Sequence, residues 1–343
     1  MSAPAPPDVL SSPVLRDFWY PVAPLSRLAQ GPMSATLLGE SLVLWLPTPT
    51  SADAPAAAQD RCSHRRAPLS LGVVTDRRLR CAPHGWACAA DGRCVYRPQF
   101  PTASIPASCH VRGFACRARY GYAWVCLGVP RADIPTIPDG DDPSFRRIDS
   151  LYEDWQSSAP RVIEHALHTA HDQYRGRTAG GGDPVVQQGD LDVVDRGPYE
   201  IGVRSRPLNA RKVLPPLHAG LAQRGAPRTV DIVWHMPFTL RLSIGHANGL
   251  RHTSIHSAVP MAPGRVKSVQ FHFRNDHEGD LPALEFLATE RRIAAAHRRI
   301  LEAGDPDGDW GEGHDAHSPT ARATLLMRKK FQDLLAGQIS RAE

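Results

Sequence analysis

The sequence predicts an α+β protein, with a small antiparallel β-domain first and a second domain of strands and helices after it. Between residues 18 and 128, short apolar runs are broken about every 8–12 residues by Gly, Pro, Asp or Ser, which is typical of antiparallel strands. All seven cysteines lie in the first 126 residues, so the N-terminal part differs in composition from the rest. After residue 158, strand-like segments are bracketed by helical patterns, which indicates helices packed on one sheet.

The N-terminal half supplies the strands of the first domain. Its candidate strands include "SLVLWLP", "RCVYRPQ" and "YAWVCLG". Composition predicts a flexible tail at 1–15, a flexible Pro- and Ala-rich loop at 47–60 and a Pro-rich linker that starts near residue 130. We therefore expect a first domain at 16–130, a linker at 131–158 and a second domain at 159–343.

The second half mixes helices with strands. The segment "APRVIEHALHTAHDQY" has helical spacing of its apolar residues, and two further helical segments cover 281–304 and 319–339. Between the first two helices lie strand candidates such as "TVDIVWHMP", "FTLRLSIG", "RHTSIHSAVPM" and "RVKSVQFHFRND". This order predicts an antiparallel sheet with helices beside it.

Composition excludes several classes of function. The chain has 343 residues, 42% hydrophobic and 22% charged, with a formal net charge of +5. It lacks an apolar run of about 18 residues, so we expect no membrane span. Its arginines are scattered without interleaved aromatics, so we expect no nucleic-acid partner. An odd number of cysteines without an export signal predicts reduced thiols and a cytoplasmic location.

The strongest motif pairs cysteine with histidine twice. Cys62 and His64 form C-x-H, and after sixteen residues Cys81 and His84 form C-x2-H. Zinc sites usually pair like with like, as C-x2-C and H-x3–5-H. One Cys and one His in each loop instead fit a Rieske [2Fe-2S] cluster, in which two thiolates hold one iron and two imidazoles hold the other.

The residues around this motif resemble the Rieske non-haem iron oxygenase α-subunits, in the branch of vanillate O-demethylase and aminopyrrolnitrin oxygenase. The resemblance rests on "FWYPVAPLSRL", "SHRRAPLSLG", "HGWACAADGRC", "YGYAWVCLG", "SAPRVIEHALHTAH", "HMPFTLRLSI" and "HSAVPM". It implies a Rieske β-domain followed by a helix-grip (START-like) antiparallel sheet domain with helices. It also implies a head-to-tail trimer, electrons from an NAD(P)H-dependent reductase or ferredoxin, and oxidation of a small aromatic or heterocyclic substrate.

The mononuclear iron site implied by the resemblance is altered in this chain. The family's bridging Asp corresponds to His168, and its first ligand His corresponds to His171. The second ligand His falls at Arg175 or Gly176, neither of which can bind iron. The carboxylate ligand on the late helix corresponds to His297. The resemblance therefore implies a [2Fe-2S] cluster and leaves mononuclear Fe(II) doubtful.

Three alternatives follow for this second site. The iron site is lost, or His168, His171 and His297 form an all-histidine site, or these histidines face a polar cavity and bind nothing. We favour loss over a rebuilt site. His165 is a further candidate near the iron. Alternating positions among the strand histidines His235, His252, His256 and His272 could also face the site, but a hydrogen-bonded core or surface position is the commoner case for them.

Two functions remain open from the sequence. The chain is either an oxygenase subunit that performs hydroxylation, demethylation or amine oxidation, or a non-catalytic Rieske electron-transfer or structural subunit. In the second case an active homologue partners it in a mixed trimer, whereas the first allows a homotrimer.

Overall fold

The computed structural model describes residues 12–48, 54–172, 191–205, 228–304 and 321–339. These residues divide into two compact units, one formed by 12–134 with 259–262 and the other by 135–258 with 263–339. Both units contain antiparallel sheet, and the long helices belong to the second unit. The α+β class predicted from the sequence is confirmed.

In the described part of the chain, the first unit is made of two antiparallel sheets. Its elements are β1 (Tyr20–Pro24), α1 (Leu25–Leu28), β2 (Met33–Leu37), β3 (Glu40–Trp45), β4 (Ala56–Gln59), β5 (Val73–Thr75), β6 (Arg78–Arg80), β7 (Ala87–Cys88), β8 (Cys94–Tyr96), β9 (Gly113–Arg119) and β10 (Tyr122–Cys126). The larger sheet has the strand order β1-β10-β9-β4-β3-β2, and the smaller has the order β5-β6-β7-β8.

The larger sheet has a fully buried centre. In β3, the four residues from Leu42 to Trp45 are all 0% exposed, and every residue of β10 is buried. Continuous apolar runs of this kind are typical of strands that are covered on both faces. They provide the rigid core of the first unit.

The smaller sheet carries both halves of the Cys–His motif. Its strands are only two or three residues long; β5 and β6 are joined by a two-residue turn, whereas the β4–β5 and β6–β7 connections are longer. The β4–β5 connection holds Cys62 and His64, and the β6–β7 connection holds Cys81 and His84. The motif therefore lies on two loops of one unit.

Two segments that were expected to be irregular contain ordered structure. In the predicted loop at 47–60, β4 pairs with both β3 and β9, and its three alanines are buried. Alanine has a low strand propensity, but packing between two neighbouring strands overrides it. In the predicted tail at 1–15, residues Pro13–Asp17 form a 3₁₀ helix that buries Leu15. Residues 1–11 lie outside the described part.

The second unit is one antiparallel sheet with helices. Its elements are α2 (Pro138–Asp141), β11 (Arg146–Trp155), α3 (Ala159–Asp172), β12 (Leu191–Asp195), β13 (Glu200–Ser205), β14 (Arg228–His235), β15 (Thr239–His246), β16 (Arg251–Ala262), β17 (Arg265–Arg274), α4 (Ala283–Ala303) and α5 (Ala321–Leu335). Within the described residues the strand order is β11-β17-β16-β15-β14-β13-β12. The helices predicted at 159–174, 281–304 and 319–339 are confirmed over the residues of these segments that the structure describes.

The segment 131–158 is not a plain linker. It contains α2 and the ten-residue strand β11, which pairs with β17 along its length. Ile148, Leu151 and Trp155 are buried on this strand. The sequence did not predict this strand for two reasons. The segment begins with a proline-rich stretch, which indicates a linker. In addition, a register shift between Asp149 and Leu151 prevents strict alternation of apolar residues along β11.

Among the described residues, none of the helices is both long and apolar enough to span a bilayer.

Candidate functional site

The two Cys–His loops of the first unit have the same backbone pattern. In each, the cysteine N–H donates to the carbonyl five residues later, and the cysteine carbonyl accepts from the N–H four residues later. These bonds are Cys62 to Ala67 (2.8 Å), Arg66 to Cys62 (2.8 Å), Cys81 to Trp86 (2.8 Å) and Gly85 to Cys81 (2.9 Å). The residue four positions after each cysteine has a positive φ, +60° at Arg66 and +70° at Gly85. The two loops thus present their cysteines from equivalent positions, and the histidine follows two residues later in the first loop and three residues later in the second.

A carboxylate closes the base of the first loop. Asp60 accepts hydrogen bonds from the backbone N–H of Ser70 at 2.7 Å and from its hydroxyl at 2.6 Å. Within the loop, the Ser63 hydroxyl donates to the Cys109 carbonyl at 2.6 Å. These bonds fix the backbone on both sides of Cys62 and His64.

The four motif side chains meet where the loops face each other. Cys62 and Cys81 are 3% and 2% exposed, whereas His64 and His84 are half-buried. The two imidazole rings lie 4.6 Å apart between centroids at an interplanar angle of 88°. The sulfurs therefore lie on the protein side and the imidazoles toward the surface.

The electrostatics of the loops suit a cationic group. Burial and, after it, the hydrogen bond with the Cys62 side chain raise the pKa of the Cys81 thiol to about 12. Burial, followed by the nearby His84 and Arg65, lowers the pKa of His64. A thiol whose pKa is raised in this way ionises only beside a strong cation, and a neutral imidazole is the form that binds metals.

The donor set fits a Rieske cluster. Nδ1 of His64 is buried and has no hydrogen-bond partner within the described part of the chain. A buried imidazole nitrogen without a partner is costly unless it binds something that lies outside the protein atoms. Trp86 stacks on the same ring, with centroids 4.7 Å apart and planes 9° apart, and its indole N–H donates to Gln99 at 2.9 Å. The ring orientation is thus fixed.

Three further histidines meet in the second unit. His165 on α3 and His297 on α4 lie in an edge-to-face arrangement, with centroids 4.9 Å apart and an interplanar angle of 86°. His256 on β16 lies close to both, and its Nε2 is 3.0 Å from the Ser268 hydroxyl. Burial, then His297 and His165, lowers the pKa of His256 to about 4, and burial lowers the pKa of His297. The rings of His256 and His297 are therefore neutral near pH 7.

Of the residues predicted to bind a mononuclear iron, only His297 has a described side chain. His297 is in this pocket, but the side chains of His168 and His171 lie outside the described residues, as do Arg175 and Gly176. Among the side chains that are described, no group of three or more His, Cys, Asp or Glu residues could hold a single metal ion. A Rieske cluster is compatible with that result, since each of its irons takes two protein ligands.

Sequence reasoning did not single out His256 for this pocket. The available signal was the alternation of His252, Ser254 and His256 along one strand, because alternate residues of a strand share a face. The sequence did not show which helices bring histidines next to His256, because α3 and α4 are far from β16 along the chain.

A second polar network lies buried under α4. The His272 imidazole contacts the Ser150 hydroxyl at 2.8 Å through Nε2 and the Ser254 hydroxyl at 2.9 Å through Nδ1. The Gln270 amide donates to the Glu290 carboxyl at 3.3 Å, and Nε2 of His272 is 4.0 Å from the same carboxyl. His272 is thus a hydrogen-bonded core residue, as expected for the strand histidines.

His272 and Glu290 are close, yet they do not form an ion pair. Burial raises the pKa of Glu290 to about 7 against the opposing effects of Arg274 and Gln270. Burial, then Arg274 and His256, lowers the pKa of His272 to about 3. Between these values both groups are neutral, because the cost of charging a buried group exceeds the attraction between them.

An ion pair sets the rotation of α3. The Arg328 guanidinium on α5 donates to both carboxylate oxygens of Glu164, from Nη2 and, at 3.2 Å, from Nε. The two side chains are 13% and 17% exposed. Because His165 follows Glu164 directly, this two-point contact fixes the direction in which its imidazole points.

Replacing Glu164 with glutamine is expected to lower the free energy of unfolding by about 2 kcal/mol, because it weakens a charged hydrogen-bonded pair with little access to water. Urea unfolding followed by circular dichroism measures the effect. The matched control is Asp333→Asn, which removes the solvent-facing Lys329–Asp333 pair on α5 and should change stability by less than about 0.5 kcal/mol. Equal effects of the two substitutions would contradict a positioning function for the Glu164–Arg328 pair.

Comparison with known proteins agrees with the geometry of the first unit. Residues 18–112 match the Rieske [2Fe-2S] domain. The chain is 30% identical over 243 residues to the putative toluene-4-sulfonate monooxygenase system iron-sulfur subunit TsaM2 of Comamonas testosteroni, covering 68% of this chain and 67% of that protein. The chain accordingly carries a Rieske-type [2Fe-2S] cluster.

Two further similarities concern one demethylase. The chain is 34% identical over 165 residues to the methylxanthine N1-demethylase NdmA of Pseudomonas putida, so that the match spans about half of that relative, 46% of each chain. The solved structure of NdmA with caffeine has a TM-score of 0.77 at 23% identity, covering 95% of this chain and 92% of that one. The two proteins share their fold.

Proposed function

Because this chain belongs to the family of Rieske non-haem iron oxygenases, we propose that it is the oxygenase component of a two-part oxidation system. It takes electrons from a separate NAD(P)H-dependent reductase or ferredoxin and oxidises a small aromatic or heterocyclic molecule by hydroxylation, demethylation or amine oxidation. The observation that carries the proposal is the pair of equivalent Cys–His loops in a chain folded like a methylxanthine demethylase.

Cys62, Cys81, His64 and His84 are the proposed ligands of the [2Fe-2S] cluster. The two buried cysteines bind one iron, and the two half-buried histidines bind the other. When bound, the cluster supplies one-electron transfer at a potential raised by its neutral imidazole ligands. The chain's own residues orient the imidazoles, through the Trp86 stack, toward the surface where an electron carrier reaches them.

The proposed site of oxidation is the cluster of His165, His256 and His297 in the second unit. His297 and the histidines of α3 take the place of the family's iron ligands, with His168 and His171 as the other members of the sequence-based set. The neutral imidazoles of His256 and His297 suit a pocket that receives an uncharged ring.

The first unit also has a surface that suits an acidic electron donor. Residues 61–100 contain eight arginines and two aspartates, with no lysine or glutamate, which leaves a charge of +6 in this segment against +5 for the whole chain. Arg65, Arg66, Arg77 and Arg78 are exposed beside or near the cluster loops. A surface of one sign next to a redox centre accelerates the approach of a partner of opposite sign.

Charge reversal at this surface is expected to slow electron transfer. The double substitution Arg77→Glu/Arg78→Glu should lower the second-order rate constant for reduction of the cluster about tenfold or more at low salt. Stopped-flow absorbance of the cluster with the reduced donor measures the rate. The control Arg291→Glu/Arg292→Glu makes the same charge change at exposed positions of α4, and an equal loss there would assign the effect to net charge alone.

Turnover tests the function itself. The protein is combined with a family reductase, NADH or NADPH and O2, and is offered a panel of N-methyl and O-methyl heterocycles and arenes. Substrate-dependent NAD(P)H consumption with stoichiometric product, and formaldehyde where a methyl group is removed, is the expected result. Cluster reduction without any product from the panel would overturn the oxygenase assignment.

That outcome would favour the second candidate, a non-catalytic Rieske electron-transfer or structural subunit in a mixed trimer. Two observations favour it: Arg175 and Gly176 stand where the family has a ligand histidine, and the described side chains contain no group of three metal ligands. A homologous subunit that co-purifies with this chain would support it, whereas activity of the isolated chain would exclude it.

A further inference from the structure

An arginine beside the cluster loops has no acidic partner. Arg97 follows β8 directly and is half-buried. Two other arginines of the same sheet region are offset by carboxylates, Arg80 by Asp76 and Arg93 by Asp91. For Arg97, no such ion pair exists among the residues that the structure describes, and its Nε is buried without a hydrogen-bond partner there. Its positive charge therefore acts on its surroundings without local compensation.

Two aromatic rings and one carbonyl hold the Arg97 guanidinium in place. Its central carbon lies 5.8 Å from the ring centre of Trp86 and 5.3 Å from that of Phe100. Both distances are below the limit of about 6 Å within which a cation is attracted to the face of an aromatic ring. Nη2 also donates to the Ser104 carbonyl at 2.8 Å. The charge is thus fixed beside Trp86 instead of moving freely in water.

Trp86 brings this charge close to the cluster ligands. Its ring stacks on that of His64, with centroids 4.7 Å apart. Because both distances are measured from Trp86, the guanidinium lies no farther than about 11 Å from the His64 ring, which is close to the Debye length of about 10 Å at 0.1 M salt. Gln99 connects the same segment to the other loop, since its side-chain amide accepts from the Trp86 indole at 2.9 Å and donates to the His84 carbonyl at 3.4 Å. The position of Arg97 relative to both histidines is therefore set by the protein.

A fixed cation at this distance affects the energy of reduction. The donor gives up one electron, and the cluster that receives it gains one negative charge. A nearby positive charge lowers the energy of this reduced form, and salt screens the attraction less where the cation is partly buried. The reduction potential rises as a result, so that the equilibrium with a given donor moves toward the reduced cluster.

We propose that Arg97 is a positioning residue for electron uptake, which raises the reduction potential of the [2Fe-2S] cluster through its fixed place against Trp86. This function differs from that of the exposed Arg77 and Arg78, because those arginines act on the rate at which a donor approaches, whereas Arg97 acts on the equilibrium of reduction. The inference rests on the proposed ligand function of His64 but not on the proposed oxidation, and its test uses no substrate.

A redox titration of the full-length protein with its cluster tests the proposal. The potential is measured at pH 7 with one-electron mediator dyes and the circular dichroism of the cluster. Arg97→Gln should lower the equilibrium constant for reduction about tenfold, or about 59 mV for one electron, as expected for the loss of one unit charge at about 11 Å with an effective dielectric constant of about 20. Arg97→Met, which keeps an unbranched chain against the rings, should give the same shift. Arg97→Lys keeps the charge and should stay within about threefold of the wild type.

The matched control is Arg93→Gln. It removes the same charge from the turn that precedes β8, but the Arg93 side chain is 69% exposed and paired with Asp91, so the equilibrium constant should change less than about twofold. An unchanged potential in both neutral Arg97 variants, or an equal loss in Arg93→Gln, would overturn the proposal. Loss of the cluster from both neutral variants would assign Arg97 to loop assembly and would overturn it as well. The expected shift in a protein that shows no turnover would support the proposal and contradict only the proposed oxidation.

Discussion

Replacing Cys81 with alanine is expected to abolish the [2Fe-2S] cluster, together with the visible absorbance and the electron paramagnetic resonance signal of its reduced form. Cys81 is 2% exposed, and its thiol contacts the side chain of Cys62 at the centre of the two loops. Without it, one iron has a single thiolate, and neither loop holds another donor at that position. Iron and acid-labile sulfide in the purified variant should therefore fall to background.

The matched control is Cys88→Ala. Cys88 is 3% exposed and belongs to the same apolar core as Cys81 and Cys62, but it lies on β7 outside both loops. Its substitution should retain the full cluster spectrum with a stability loss of about 1 kcal/mol from the lost sulfur packing. Colour that survives in the Cys81 variant, or colour that is lost equally in both, would show that the four-residue ligand set is wrong.

The cluster motif could be identified from the sequence because its geometry is local. Each Cys–His pair spans three or four residues, and the turn at each cysteine is closed by hydrogen bonds between residues at most five positions apart. Residue types and spacing therefore carry nearly all the information about this site. The identity of the ligands stays a prediction that the Cys81 and Cys88 variants test.

The histidine pocket depends on contacts that spacing does not encode. His165, His256 and His297 come from two helices and a strand that are far apart in the sequence. The three histidines come together because of the way α3 and α4 pack on the sheet. The sequence therefore predicted helices and strands at these positions but not the contact between the histidines. The strands β4 and β11 were missed for a related reason: pairing with distant neighbours stabilises them in spite of unfavourable local composition.

A buried acid of the second unit gives a prediction about pH. Glu290 has a pKa of about 7 in the folded protein, raised from 4.5 by burial. Between these pH values the unfolded chain has released the proton and the folded protein still binds it, so this residue makes stability fall as the pH rises. The loss is complete above pH 7 and amounts to about 3 kcal/mol.

Glu290→Gln is expected to remove that loss. The glutamine keeps an oxygen that accepts from the Gln270 amide and stays uncharged at every pH, so the variant should gain about 3 kcal/mol over the wild type between pH 4.5 and pH 8. Chemical unfolding at a series of pH values measures the difference between the two proteins. Neither stability curve alone isolates Glu290, because buried His272, with its pKa lowered to about 3, makes stability rise with pH over part of the same pH range. Subtracting one curve from the other removes this contribution of His272.

The exposed Glu285 on the same helix provides the control. Glu285→Gln removes an identical charge from water-exposed surface and should leave the pH dependence of the wild type unchanged within about 0.5 kcal/mol. Parallel stability curves for Glu290→Gln and the wild type would mean that Glu290 is ionised in the folded protein at neutral pH. In that case the neutral state of Glu290 in the network under α4 would be wrong.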